Sequence, residues 1–229
     1  MKAADLPTYY NICEILEHNL EHRGDKIALL SENGSFTFRE VSEQVNRVGN
    51  ALIRSDVQFG ECVAILCPDR PEWVSVFFAT AKIGGVALGL NTLLKTEEYD
   101  YIFRDARVKI LVVHDSLQAL VEPIITNHDT LTRVITITDS ESMLYTTFAN
   151  WIAKEKNELD QVVTHREDFC SLHYSSGTTG MPKGVLHAHK DYPLIAQLSG
   201  VDLFGIAESD RTFSVAKLFF VYGIGGNLI

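Results

Sequence analysis

Short, nearly continuous runs of Val, Ile and Leu alternate along this chain with segments whose apolar residues recur at helical spacing. The runs are Lys26–Leu30, Phe36–Phe38, Cys62–Cys67, Val86–Leu90, Val108–Val113, Arg133–Thr138, Phe169–Tyr174 and Thr212–Ala216, and each is read as a strand. The sequence Val-Lys-Ile-Leu-Val-Val at 108–113 is too apolar for a strand with one wet face. It predicts a strand covered on both faces, as in a parallel sheet. Between the runs, Val41, Val45, Val48 and Leu52 form one apolar stripe, and Thr37 and Glu40 stand at capping-box spacing in front of it. Asp69 and Pro71 mark the entry to a second helix with Trp73, Val76, Phe77 and Thr80 on one face and Gly84 as its stop. A third helix follows Thr96. A fourth runs through His189–Leu203, with Pro193 in its first turn or at a kink. Strand–helix alternation of this kind predicts an α/β fold of mostly parallel sheet with flanking helices. Thr138–Ser142 and Lys154–Arg166 read as loops or weak boundaries.

Composition narrows the class. With 46% hydrophobic and 10% aromatic residues in 229, the chain can build a core and is no disordered tail. The formal charge of −10 and the lack of any basic run argue against a nucleic-acid surface. Val74–Leu94 carries a single charge, Lys82, near its middle. That charge would cost about 2.5–3.5 kcal/mol in a bilayer, and Gly84-Gly85 follows it. A buried helix, a turn and a buried strand are therefore expected, with no membrane span. The N-terminus has no signal-peptide stretch. Cys13, Cys62, Cys67 and Cys170 form no Cys-x-x-Cys pair, and the odd offset of Cys62 and Cys67 puts them on opposite faces of a strand. Four reduced, mostly buried thiols in a cytoplasmic protein are expected. The last residues, LFFVYGIGGNLI, are uncharged and apolar. They are expected to be cut from something longer and to favour self-association when exposed.

One segment concentrates chemistry: Tyr174-Ser-Ser-Gly-Thr-Thr-Gly-Met-Pro-Lys-Gly184, directly after a strand-like run. Glycines allow positive φ and turn N–H groups onto an anion. Hydroxyls donate to phosphate oxygens, and a lysine adds a mobile positive charge. Together these make a polyphosphate cradle. It is no Walker A loop, because Lys183 stands between Pro182 and Gly184. Gly223-Ile-Gly225-Gly226 is no dinucleotide fingerprint either, because Leu228 occupies the third glycine position. His187-x-His189 lacks further ligands and is weak evidence for zinc. His187 is read as support for the cradle and His189 as a surface residue.

The order Ser-Ser-Gly-Thr-Thr-Gly-x-Pro-Lys-Gly resembles the phosphate loop of the adenylate-forming superfamily, which comprises acyl- and aryl-CoA synthetases, peptide-synthetase adenylation domains and luciferases. Gly34–Val41, Phe59–Ile65 with Pro68–Glu72, and Ala79–Leu94 resemble further segments of that family in the expected order. The resemblance covers nearly the whole chain. Ser214–Gly223 looks most like the benzoate and hydroxybenzoate CoA-ligase branch, where this segment lines the acid pocket. Glu61 and Gly89 depart from the family, which often has Asp and Pro there. The Gly89 change is expected to loosen its turn.

The resemblance implies an AMP-forming acid–CoA ligase acting on ATP, an aromatic carboxylic acid and CoA, with Mg²⁺. It implies that Ser175, Ser176, Thr178 and Thr179 hold the phosphates, that Gly177 and Gly180 permit close backbone approach, and that Lys183 supports the departing pyrophosphate as the catalytic residue. Phe220, Val221, Tyr222 and Gly223 would line the acid site. The alternative for the aromatics is that they are core residues, above all Phe219, and a solvated Lys217 is as expected as one near the pocket. Family members are more than twice as long. Residues 1–229 would thus be part of an N-terminal AMP-binding domain, without the C-terminal lid domain, and inactive alone. Two alternatives stay open: a non-catalytic truncated homologue, and an enzyme for fatty or amino acids.

Overall fold

The computed structural model describes residues 5–140, 145–175 and 180–228. The elements in order are α1 (Glu14–Glu17), α2 (Leu20–Arg23), β1 (Ile27–Ser31), β2 (Gly34–Thr37), α3 (Phe38–Arg54), β3 (Cys62–Leu66), α4 (Pro71–Lys82), β4 (Val86–Gly89), α5 (Thr96–Asp105), β5 (Val108–His114), α6 (Asp115–Val121), β6 (Arg133–Ile137), β7 (Thr146–Thr147), α7 (Phe148–Ile152), β8 (Phe169–Ser175), β9 (Lys183–Ala188), α8 (Asp191–Ile195) and α9 (Val221–Gly223). π-helical stretches, Ala196–Leu203 and Ile224–Leu228, follow α8 and α9.

Seven strands form one sheet in the order β7-β6-β5-β3-β4-β8-β9, parallel throughout except for β9, which runs antiparallel to β8. β1 and β2 form a separate antiparallel hairpin. Every residue of β3 is buried. Val63, Ile65 and Cys67 face one apolar layer, with Val45, Val48 and Leu52 of α3 and Trp73, Val76 and Phe77 of α4. Cys62, Ala64 and Leu66 face the other, with Tyr99, Ile102 and Phe103 of α5 and Val121 of α6. The strand alternation thus places Cys62 and Cys67 on opposite faces, and all four cysteines are buried and unpaired.

The capping box forms: Glu40 N donates to Thr37 Oγ1 at 3.2 Å and Thr37 N to Glu40 Oε2 at 2.8 Å. Pro71 opens α4, where its missing N–H costs nothing. Gly84 ends it with φ +77°. Pro193 lies in the first turn of α8, inside the expected fourth helix. Residues 154–166 are irregular but mark no boundary. The Asn46 amide donates to Asn157 O at 2.9 Å, and that of Asn50 to Lys156 O and Glu158 O at 3.0 Å each, strapping the segment along α3.

One strand expectation fails. Thr212–Ala216 is irregular, and Phe213 and Val215 are exposed. An apolar run becomes a strand only beside a partner, and no described strand pairs with it. Gly89 also departs from expectation. A Cβ there would lie 2.9 Å from Trp73 Cζ2 and 3.1 Å from Phe219 Cα, so glycine permits a close backbone crossing rather than a loose turn.

Among the described residues no helix is long and apolar enough to cross a membrane. Lys82 explains its presence in an apolar run differently. It is 2% exposed, its ammonium pairs with the Glu17 carboxylate, and it donates to Asn46 Oδ1 at 2.7 Å. Removing one partner of a buried pair typically costs roughly 3–5 kcal/mol because the other charge stays buried and unpaired, and a partner that water can reach escapes much of that cost. Because Glu17 is partly exposed, Glu17→Ala should cost about 2–3 kcal/mol in urea denaturation. Lys82→Met should cost clearly less, and the reverse ranking would contradict this account.

Candidate active site

In an open α/β sheet, ligands bind beyond the carboxyl ends of the strands where neighbouring connections leave on opposite faces. The order β4-β3-β5-β6 puts that place at β3 and β5, and the candidate elements gather beside it, at the carboxyl ends of β3, β4 and β8. The β3–β4 connection contains α4 on one face, and the β4–β5 connection contains α5 on the other. β8 lies beside β4 and ends on the same side.

The phosphate-loop candidate begins at the end of β8. Ser175 is the register partner of Lys183, Tyr174 of Gly184 and His173 of Val185. The segment between Ser175 and Lys183 is therefore the connection of an antiparallel hairpin. Lys183 is the first residue of β9, a strand that the glycine- and proline-rich sequence around it concealed. Ser175, Gly180 and Lys183 are all exposed, and Gly180 has φ +150°, which favours glycine. Ser176, Gly177, Thr178 and Thr179 lie outside the described residues. The stem is braced from below: the Tyr174 hydroxyl donates to Asp105 Oδ2 at 2.5 Å, tying β8 to the end of α5. Burial and then this carboxylate push the Tyr174 pKa upward. A Cβ on Gly184 would lie 3.2 Å from Tyr174 Cζ, so the tyrosine ring covers that position closely.

The acid-pocket candidate crosses the end of β4. Leu218 N donates to Asp69 Oδ1 at 2.9 Å, and Lys217 Nζ stands 3.7 Å from Asp69 Oδ2. Phe219 is buried in the core, and its backbone lies against Gly89. Phe220 is 47% exposed and Tyr222 77% exposed, so neither is a core aromatic. Val221 is half-buried and Gly223 buried. A Cβ on Gly223 would sit 2.1 Å from Lys217 O, so the turn closes only around glycine. The Phe219 and Phe220 rings touch at 4.5 Å between centroids.

Between the two candidates lies a polar group that sequence reading missed. His173 Nδ1 is 3.3 Å from Phe219 O, His173 Nε2 is 3.1 Å from the Tyr192 hydroxyl, and that hydroxyl is 2.6 Å from Ser171 Oγ. Asp69 was legible only as a helix-entry residue. Its carboxylate instead serves segment 217–218, and the N-cap of α4 is Arg70, without a side-chain cap. A tertiary contact across 149 positions leaves no local signal.

The two histidines of the His187-x-His189 pair separate. His187 is half-buried, 3.6 Å from Asp191 Oδ2, with its ring 5.5 Å from that of His173. His189 corrects the surface reading: it is fully buried, and its Nδ1 accepts from Ile12 N at 3.0 Å. The end of β9 turns it inward, where it pins the N-terminal segment. Among the described residues no group of three His, Cys, Asp or Glu side chains could hold a metal ion. The described donors of the hairpin, a serine hydroxyl and a lysine, suit a polyanion.

The fold is a mostly parallel α/β sheet with helices on both faces, and comparison makes the class specific. Residues 16–229 match the AMP-binding enzyme family, and the chain belongs to it. It is 33% identical over 230 residues to a benzoate–CoA ligase of Thauera aromatica, covering 99% of this chain and 43% of that protein. A 4-hydroxybenzoate–CoA/benzoate–CoA ligase of Rhodopseudomonas palustris is 32% identical over 96% of this chain and 41% of its own. The crystal structure of the anthranilate CoA ligase AuaEII with anthranoyl-AMP superposes with a TM-score of 0.98 at 52% identity, covering all of this chain and 44% of that one. The chain thus spans less than half the length of these relatives.

Burial pushes the pKa of both His173 and His189 down to about 4, while Asp168 opposes the shift at His189 and His187 adds to it at His173. The unfolded chain binds these protons near pH 6.5. Stability is therefore full above that pH and falls as pH drops toward 4, by up to about 1.4 kcal/mol per pH unit for each histidine. Urea denaturation between pH 7 and 4.5 should show this slope, and His189→Asn should remove about half of it. A slope unchanged in that variant would contradict the assignment.

Proposed function

We propose that the complete protein activates an aromatic carboxylic acid with ATP and transfers the acyl group to CoA. The observation that carries this reading is the contact, at one end of the sheet, between β8, the strand that leads into the hydroxyl- and glycine-rich segment, and the aromatic segment 217–223. The relatives at 30% identity or more support it, since several are named as ligases of benzoate or hydroxybenzoates.

The chemistry follows from the leaving group. A carboxylate cannot expel oxide, so its oxygen attacks the α-phosphorus of ATP and pyrophosphate departs. The CoA thiol then attacks the acyl carbon and AMP leaves. The protein's task is to orient the reactants and stabilise phosphate charge. In this reading Ser175, Ser176, Thr178 and Thr179 hold the β- and γ-phosphates, Gly177 and Gly180 let the backbone approach, and Lys183 neutralises the departing pyrophosphate. Mg²⁺ would arrive with the nucleotide, and no described residue is assigned to it. Phe220, Val221, Tyr222 and Gly223 form an apolar wall suited to a flat ring. Residues 1–229 are read as part of the AMP-binding domain. The length found only in the relatives would supply the rest of that domain and a lid. Orientation accounts for roughly 7–11 kcal/mol of a barrier, so residues 1–229 alone should be nearly inert.

Charged phosphate contacts are worth about 1.5–3 kcal/mol each. Lys183→Ala and Thr178→Ala in the complete protein should therefore slow acid-dependent pyrophosphate–ATP exchange about tenfold to hundredfold without unfolding it. Unchanged exchange in a folded variant would remove the assigned roles. An acid panel tests the substrate: benzoate, hydroxybenzoates and 2-aminobenzoate should be preferred to long-chain fatty acids. The 2-aminobenzoate arm is motivated by the 52% identity to the anthranilate ligase. A preference for aliphatic acids would reject the aryl assignment and leave the adenylation reading standing.

A further inference from the structure

No described strand forms a ladder with the main chain at 217–220. Side chains hold it instead. From one side Asp69 Oδ1 accepts the Leu218 N–H at 2.9 Å. From the other, the Phe219 carbonyl faces His173 Nδ1 at 3.3 Å. A carbonyl oxygen only accepts, so Nδ1 carries the imidazole proton. In the neutral ring Nε2 is then an acceptor, and the Tyr192 hydroxyl, 3.1 Å away, donates to it. Having given its proton to the ring, the Tyr192 oxygen accepts from Ser171 Oγ at 2.6 Å. The chain of bonds runs in one direction, from Ser171 through Tyr192 and His173 to the Phe219 carbonyl. Tyr192 is fully buried and packed edge-on against Phe77, at 5.8 Å between centroids, so its hydroxyl has a fixed place. Among the described residues, the titratable groups around the ring are Tyr192 and His187, and no carboxylate is bonded to the imidazole. Burial therefore keeps the ring neutral at physiological pH.

Ser171 and His173 both belong to β8, which ends at Ser175 where the phosphate segment begins. We propose that His173 is a positioning residue: its Nδ1–H tautomer, fixed by Tyr192 and Ser171, locks the main chain of Phe219 to β8, so that the wall of the acid site and the strand leading into the phosphate segment form one rigid unit. The proposal rests on reading residues 220–223 as that wall. Phe220 and Tyr222 are largely exposed, so their positions depend on the main chain from which they project. Freeing that main chain loosens the fit of the acid while leaving the phosphate contacts intact.

The test compares three variants of the complete protein. His173→Leu removes the donor to Phe219. His173→Asn keeps an amide donor at the Nδ1 position. Tyr192→Phe keeps the ring and removes the hydroxyl that fixes the tautomer, and it serves if His173→Leu does not fold. Loss of one buried hydrogen bond corresponds to about a tenfold effect. His173→Leu should raise the KM for the aryl acid about tenfold, with the KM for ATP within about twofold. His173→Asn should return the acid KM to within about threefold of wild type, and Tyr192→Phe should lie between. Equal impairment in the Leu and Asn variants, or an unchanged acid KM in His173→Leu, would overturn the proposal. A second readout needs no activity. Trypsin cleavage after the exposed Lys217, followed by mass spectrometry, should be faster in His173→Leu and Tyr192→Phe than in wild type or His173→Asn. If wild type turns over no acid, the proposed function fails while the cleavage rates still decide the clamp. Equal rates in all variants would overturn it.

Discussion

Strand β3 is covered on both faces, and most of the molecule follows from that requirement. Its alternate side chains enter two separate apolar layers, so neither face can be left to water. Fully burying a Val, Leu or Ile side chain is worth roughly 1.5–3 kcal/mol, and β3 has no polar residue to relieve the demand on either side. Helices must therefore pack on both faces, which sends α4 to one side and α5 to the other. Connections leaving β3 and β5 in opposite directions open a crevice at their carboxyl ends. The candidate site lies beside that crevice, on a frame whose two-sided packing includes the five buried residues of β3.

The elements that meet in this crevice are tied by polar contacts of long sequence separation. Asp69 at the end of β3 takes the main chain of residue 218. Gly89 at the end of β4 lets residue 219 cross it. His173 on β8 reaches the Phe219 carbonyl, and Tyr174 ties β8 to Asp105. Strand β8, which leads into the hydroxyl-rich segment, and the aromatic segment thus share a common frame. On the proposed reading such a frame would hold ATP and an acid in register, because small errors of orientation are expensive in the transition state. Chain membership in the AMP-binding enzyme family is consistent with this arrangement.

Much of this was legible in the residues themselves. Continuous apolar runs marked the buried parallel strands, and Thr37 with Glu40, Pro71 and Gly84 marked helix limits, because these signals act over a few residues. The glycine- and hydroxyl-rich order at 175–184 marked the phosphate candidate for the same reason. Other features depended on neighbours that the local sequence does not name. Thr212–Ala216 has the composition of a strand, but no described strand forms a ladder with it. Lys183 begins a strand in spite of the proline before it, because Ser175 pairs with it. His189 looked like a surface residue and is buried under the N-terminal segment. Asp69 has the signature of a helix cap and spends its carboxylate elsewhere. The sequence by itself determined the alternation of elements, the two-sided burial of the sheet and the phosphate-loop signature, since propensity, periodicity and turn chemistry are local. Only the tertiary structure decided which buried polar side chains meet at the site, because a hydrogen bond such as His173 to Phe219 forms where the fold brings its two groups within reach.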